Sequence, residues 1–303
     1  MYKSYWLIFF EYIWYVQAKL VLMRLVFTFL IFLLINVFTF AQSLKIKPRK
    51  EKSLVGSEFA KLISDSTLSL NDREYLIFEE IKNGNIPDFL SGLCTVEQEQ
   101  IIGNKTHKIH FFVLPDYMAI GSNTDYFYVP MTPILAQKVA KHLNCSLPTK
   151  KMVDLIYHQS TIKLAPSPLP PNKAMTTVPI FIKHSNIIQQ QLSPYLATHK
   201  LGELTAGNKK DIIISNKIYT EKTAKVVIYG WHQLNGKAIQ PVYNKHTNTW
   251  ADYSHGVRLV LNKVLLNGKK TTLKKILSDS ILNSLLSDEG KIDKPYYPLT
   301  AYK

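Results

Sequence analysis

The chain has 303 residues, with 37 lysines and arginines against 22 aspartates and glutamates and a net charge of +15. That length accommodates one large domain or two small ones. The sequence contains no zinc finger, P-loop or nucleic-acid module, no internal repeat and no low-complexity tract, and its two cysteines, Cys94 and Cys145, make no C-x-x-C metal pattern.

Residues 1–41 are the most apolar part and read as a targeting segment. Met23-Arg24 gives a short basic start, Leu25–Phe40 an apolar run, and Thr39 and Ala41 the small residues that a signal peptidase accepts. The run is shorter than the roughly 20 residues of a spanning helix. Met23 reads as the true start, because the stretch before it, with Glu11 and six Tyr or Trp residues, adds nothing a signal peptide needs. An uncleaved hairpin anchor is the alternative. No cysteine follows the run, which argues against a lipid anchor. The expected location is therefore periplasmic or secreted, with membrane contact only through this segment. An oxidising compartment would permit a Cys94–Cys145 disulfide, although spacing says nothing of its geometry.

Residues 42–53 are polar and basic and predict a flexible lead-in. Residues 54–303 read as one composite domain. Phe59, Leu62 and Ile63 share helical spacing, as do Tyr75, Ile77, Phe78 and Ile81 after the cap signal Ser69–Asp72. His107–Ile120 reads as one or two strands, Gly121-Ser122-Asn123 as a turn, and Asp125–Val129 as the paired strand. Thr132-Pro133 opens a helix with Leu135, Val139 and Leu143 on one stripe, and Pro148 opens another. A loop over 163–179 holds five prolines, which fix φ and extend the chain, as a rigid segment bordering a cleft would require. Val178–Leu192 predicts a helix.

The later part reads as β-rich. Asp211–Ser215 and Lys225–His232 predict strands. Asn235-Gly236 predicts a type I′ hairpin turn into Lys237–Tyr243, Val257–Leu261 a short strand, and Thr272–Leu286 a final helix. Helices early and hairpins late give an α+β fold. Its sheet is expected to be mixed or mainly antiparallel in the C-terminal half, with helices from the N-terminal and central segments packed on it.

Functional-type residues concentrate in Tyr229-Gly230-Trp231-His232, His246 and Asp252-Tyr253-Ser254-His255-Gly256. Two chemistries fit. His232, His246, Asp252 and His255 supply the imidazole and carboxylate ligands of zinc or another divalent metal, which would acidify a bound water. Alternatively, without a metal, His232 or His255 acts as acid or base, Asp252 orients it, and Ser254 or Tyr253 takes part. Ser254 and His255 are adjacent and would point to opposite faces of a strand, so His232 is the better partner for Ser254. The third reading is packing, with the histidines satisfying hydrogen bonds in a β-rich core. Tyr229, Trp231, Trp250 and Tyr253 offer aromatic faces to a substrate, and the turn Gly207–Asp211 offers Lys209 and Lys210 to an anionic one. These residues imply an exported hydrolase acting on an anionic extracellular polymer or cell-wall glycan or peptide, with no specific nucleic-acid partner. A non-catalytic glycan- or peptidoglycan-binding protein and an envelope structural protein are the alternatives.

Overall fold

A computed structural model of the chain describes residues 12, 14–25, 27 and 42–302. The chain divides into two compact units, Met1–Ala41 and Gln42–Lys303. In the first, residues 14–25 are helical. Thr39, Ala41 and most of the apolar run lie outside the described residues. No helix among the described residues is long and apolar enough to cross a membrane.

The second unit is α+β with mostly antiparallel sheets. It begins with strand β1 (Gln42–Ser43), helices α1 (Gly56–Leu62) and α2 (Leu70–Lys82), the long hairpin β2 (Gly92–Ile102) and β3 (Lys105–Val113), and the short pair β4 (Ala119–Gly121) and β5 (Tyr126–Tyr128). Helix α3 (Pro133–His142), β6 (Cys145–Ser146), α4 (Lys150–Gln159), β7 (Ile162–Lys163), α5 (Val178–Leu192) and β8 (Thr205–Ala206) form the middle. Then come β9 (Lys210–Ile212), β10 (Ile228–His232), β11 (Ala238–Tyr243), β12 (His255–Gly256), β13 (Val260–Leu261), the hairpin β14 (Lys263–Leu266) and β15 (Lys269–Thr272), and α6 (Leu273–Leu277).

Caps begin the helices where the sequence places them. The Ser69 hydroxyl accepts from Asp72 N, and Thr132 accepts from Leu135 N with proline at the first turn of α3. The largest sheet runs β1-β2-β3-β13-β6, with β14 on β3 and β15 on β14, so it draws on both halves of the chain. A second sheet runs β11-β10-β9-β12, with β12 parallel to β9 and the other pairs antiparallel. Helix α4 packs on both β2 and β10 and so joins the two sheets.

Three expectations are corrected. Residues 42–53 are docked: β1 pairs with β2, Leu44 is buried, and Arg49 donates to Asn85 and to the Ser53 and Leu54 carbonyls. Backbone pairing and one apolar anchor outweigh the polar composition. Asn235-Gly236 forms no type I′ turn. Only Gly236 has positive φ there, and Gly236 N donates to Gln233 O while Gln233 N donates to Lys237 O, a three-residue loop closed by a glycine bulge. The type I′ dipeptide is Asn267-Gly268, with φ of 49° and 77°, between β14 and β15. Finally, Thr272–Leu286 is a short α6 followed by a 3-10 turn at Leu282–Leu285.

Both cysteines are free. Cys94 lies near Gly202 O, and Cys145 is buried, its thiol pushed up to about 12 by desolvation. Thiol titration of the denatured, unreduced chain is expected to find both thiols; a loss of both that reductant restores would mean the pair is bridged.

Candidate functional site

Strand β10 sets up the site through a break in its own pleat. On a regular strand, Tyr229 and Trp231 would share one face and His232 would take the other. Here the register slips between Ile228 and Gly230, and φ is positive at Gly230 (110°) and at Trp231 (58°). The bulge turns Tyr229 and His232 to one side and Trp231 to the other. Positive φ at a bulky residue costs on the order of 1–3 kcal/mol, and the bond from Trp231 N to Lys209 O holds it.

The Tyr229–His232 side meets Asp154, which projects from α4. Asp154 accepts from His232 Nε2 (3.0 Å) and from the Tyr229 hydroxyl (2.7 Å) on one oxygen, and from Lys150 Nζ (2.8 Å) on the other. Burial would raise this carboxyl, but the three donors bring it down to about 2. His232 is also stacked on Tyr157, with ring centroids 4.5 Å apart. Nothing in a linear motif points to Asp154 beyond its i, i+4 spacing from Lys150 on an amphipathic helix.

The Trp231 side is a separate, deeper cluster. Trp231 faces His184 of α5 (6.2 Å) and Tyr253 (6.3 Å), and Lys210 Nζ lies 4.9 Å over its ring. Lys209 is buried and donates to Tyr253 O (2.6 Å) and to His184 Nδ1 (3.2 Å), which places the His184 proton on Nε2. Desolvation pushes Lys209 down to about 7 and His184 down to about 2. Asp252 Oδ1 accepts from Ser254 N (2.8 Å) and Ser254 Oγ (2.5 Å), and Oδ2 from Trp250 Nε1 (3.3 Å). Burial opposes its charge, but His255, Ser254 and the Lys210 ammonium together hold Asp252 well below the usual carboxylate range. His255 Nε2 lies 3.9 Å from Asp252 Oδ2, and burial pushes His255 down to about 4. His246 stacks on Trp250 at 4.6 Å, and these two and Lys210 are half-buried between the cluster and solvent.

The proline-rich segment closes over this cluster as an ordered loop. Tyr253 N donates to Met175 O, Leu169 N donates to the Tyr253 hydroxyl, and Gln191 Nε2 donates to Ser167 Oγ. Behind the cluster, Gly256 lets β12 approach β9, since a Cβ there would sit 2.5 Å from the Tyr117 ring and 2.7 Å from Lys209 Cβ.

Under β9 lies a network of buried charge. Arg258 is fully buried, stacks 4.2 Å over Tyr117, and donates to Leu114 O and Thr205 O. Asp211 accepts from the Tyr117 hydroxyl (2.7 Å) and lies 4.0 Å from Arg258; burial raises it to about 6. Asp116 accepts from Tyr117 N and the Tyr128 hydroxyl and is likewise raised by burial.

The structure thus divides the sequence-derived residues. Lys209, Lys210, Trp231, His246, Trp250, Asp252, Tyr253, Ser254 and His255 come together, while Tyr229 and His232 belong to the Asp154 cluster. The four residues read as metal ligands do not form one set, because His232 is engaged by Asp154. Among the described residues, no group of three or more His, Cys, Asp or Glu side chains is arranged to hold a metal ion. The Ser254 hydroxyl is spent on Asp252, and no hydrogen bond links it to His232. His184, Asp154 and Arg258 were missed. A lone histidine in an apolar helix and a lone arginine inside the apolar run Val257–Leu261 were the available signals.

Several buried polar atoms have no hydrogen-bond partner among the described residues: both ring nitrogens of His255, His184 Nε2, Trp231 Nε1 and the side-chain amide of Asn208. Folded proteins leave few such atoms, and each calls for an explanation. Comparison with family models, curated proteins and solved structures finds no match to this chain.

In the unfolded chain Lys209 keeps its proton up to its ordinary value of 10.5, whereas in the fold it releases it near 7. Between these values the unfolded state binds the extra proton, so stability from this group rises with pH across that window and is lowest below it. Urea unfolding is expected to show the wild type gaining on Lys209→Met as pH moves from about 7 towards 10.5; a constant difference would show that this amine is not desolvated.

Proposed function

We propose that this chain is an exported hydrolase of an anionic cell-wall or extracellular polymer, working by acid–base catalysis at Asp252, His255 and Lys209. One observation carries the reading: His255 has no exposed surface and two unpartnered ring nitrogens, yet sits beside an ionised carboxylate. Leaving such donors and acceptors unmatched costs about 1–3 kcal/mol per group, which makes this ring a candidate for proton exchange with a bound water or ligand.

The chemistry follows from the charge states. At neutral pH His255 is a neutral imidazole able to take a proton. Asp252 stays ionised and stabilises the imidazolium that forms. Lys209 titrates near 7, so it can give a proton to a leaving group and recover it at the same pH. Water is the nucleophile, because the Ser254 hydroxyl is committed to Asp252. The half-buried His246–Trp250 stack and Lys210 offer a flat face and a positive charge to an anionic sugar or peptide. The apolar N-terminal run supports export.

The test is release of soluble fragments from purified peptidoglycan and from a polyuronate by the purified chain. His255→Gln and Lys209→Met are each expected to lower the rate by about a hundredfold or more. Full activity in His255→Gln would overturn the reading, and polymer binding without fragment release in the wild type would make the chain a binding module.

The rate is expected to be bell-shaped in pH. It falls below about 4, where His255 is protonated, and above about 7, where Lys209 has lost its proton. Dialysis against a chelator is expected to leave it unchanged. Loss of activity that zinc restores would instead place a divalent ion on these residues.

A further inference from the structure

A groove of about 430 Å³ lies away from this cluster and contains none of its residues. Cys145 and Ser146 of β6, which pairs with β13, line it. Gln137 and Lys141 of α3 and Asn144 just beyond that helix also line it, together with Asn262, Thr272, Lys274 and Tyr296. The chemistry of the lining is one-sided. It contains two lysines, three carboxamides, two side-chain hydroxyls besides Tyr296, and no aspartate or glutamate.

An inventory of its hydrogen-bonding groups sharpens this. Gln137 Oε1 is taken by Tyr297 N, and Asn144 Oδ1 by Asn262 Nδ2, so the amide NH₂ groups of Gln137 and Asn144 remain as donors. The Thr272 hydroxyl oxygen caps α6. Lys141 and Lys274 are exposed and take part in no ion pair among the described residues. Asn144 has a φ of 54°, the left-handed cap of α3, which fixes its carboxamide at the groove. The surplus is of donors and positive charge, next to one aromatic ring that is 43% exposed.

We infer that this groove is a secondary binding site for an anionic oligosaccharide, which it holds independently of any chemistry at His255. Carboxamide donors match the ring and hydroxyl oxygens of a sugar, the two lysines match its carboxylates, and the Tyr296 ring offers a face for stacking. A phosphodiester chain would accept from the same lysines and carboxamides, and the DNA comparison below tests it directly. Such a site would keep a polymer on the protein between encounters with another site, raising its local concentration.

The experiment is calorimetric or fluorescence titration of the purified chain with an oligomer of galacturonic acid. Comparison ligands are the neutral galactose oligomer and a single-stranded DNA of equal charge. Lys141→Ala/Lys274→Ala is expected to weaken galacturonate binding by about tenfold or more, whereas Lys269→Ala/Lys270→Ala, which removes the same charge from exposed β15, changes it by less than about twofold. Asn144→Gly keeps the left-handed backbone and removes only the carboxamide, and a several-fold loss is expected. Equal losses in the two double variants, equal affinity for the DNA or the neutral oligomer, or no binding by the wild type would each overturn the site. Because the readout is binding, His255→Gln is expected to titrate like the wild type even if it hydrolyses nothing.

Discussion

The buried guanidinium of Arg258 is the constraint on which the second sheet depends. A charge removed from water costs several kcal/mol unless it is paired and hydrogen-bonded. Here the compensation comes from distant parts of the chain: the Leu114 carbonyl just after β3, the Thr205 carbonyl of β8, the Tyr117 ring, and the Asp211 carboxylate of β9. Nη1 and Nη2 of Arg258 reach their two carbonyls only where the end of β3 meets β8, and the Asp211 carboxylate 4.0 Å from Nε draws β9 to the same place. Lys209 and Lys210 are carried along with it, and Gly256 allows β12 to close against them. The catalytic proposal therefore rests on a pair of carboxylates and an arginine that would themselves touch no substrate.

The second determinant is the broken pleat of β10. Three of the four consecutive residues Tyr229 to His232 have the aromatic and imidazole character of a single site, and a regular strand would divide them by alternation. The bulge and the two positive φ angles sort them differently, giving Tyr229 and His232 to Asp154 and Trp231 to His184 and Tyr253. The outcome is two clusters on either side of one strand. One is an ion-paired, partly solvated network in which Asp154 accepts from three donors at 2.7–3.0 Å. The other is drier, with imidazoles held neutral by burial and several polar atoms unmatched. The contrast favours the second as the place of chemistry, since the first already has what its charges require.

Much of the fold was legible because local rules act alone there. The caps at Ser69 and Thr132, the apolar stripe of α3 and the full extent of α5 all follow from short-range patterning. The β2 strand gave little warning, because its alternation is diluted by glutamates and glutamines on the exposed face. Two of the three Asn-Gly dipeptides show the limit of local reading. The same pair gives a type I′ turn at Asn267-Gly268 and a three-residue bulged loop at Asn235-Gly236, because the register of the flanking strands selects the turn. The candidate site was legible as a region rather than as a set of partners. The dense run from Tyr229 to His255 and the Lys209-Lys210 turn were both visible, but Asp154 bonds residues 75 and 78 positions away, and His184 and Arg258 sit in segments that look apolar.

By itself the sequence determined the class of fold, the basic character, the apolar N-terminal run and the helices whose caps and stripes are written in adjacent residues. The tertiary structure alone decided which histidine meets which carboxylate, which lysine loses its water, and that the proline-rich segment lies over Tyr253. The reason is physical. Helix capping and periodicity are set by neighbours a few residues apart, whereas desolvation and hydrogen-bond partnership depend on what the folded chain brings within a few ångströms, and residue type and spacing do not encode that.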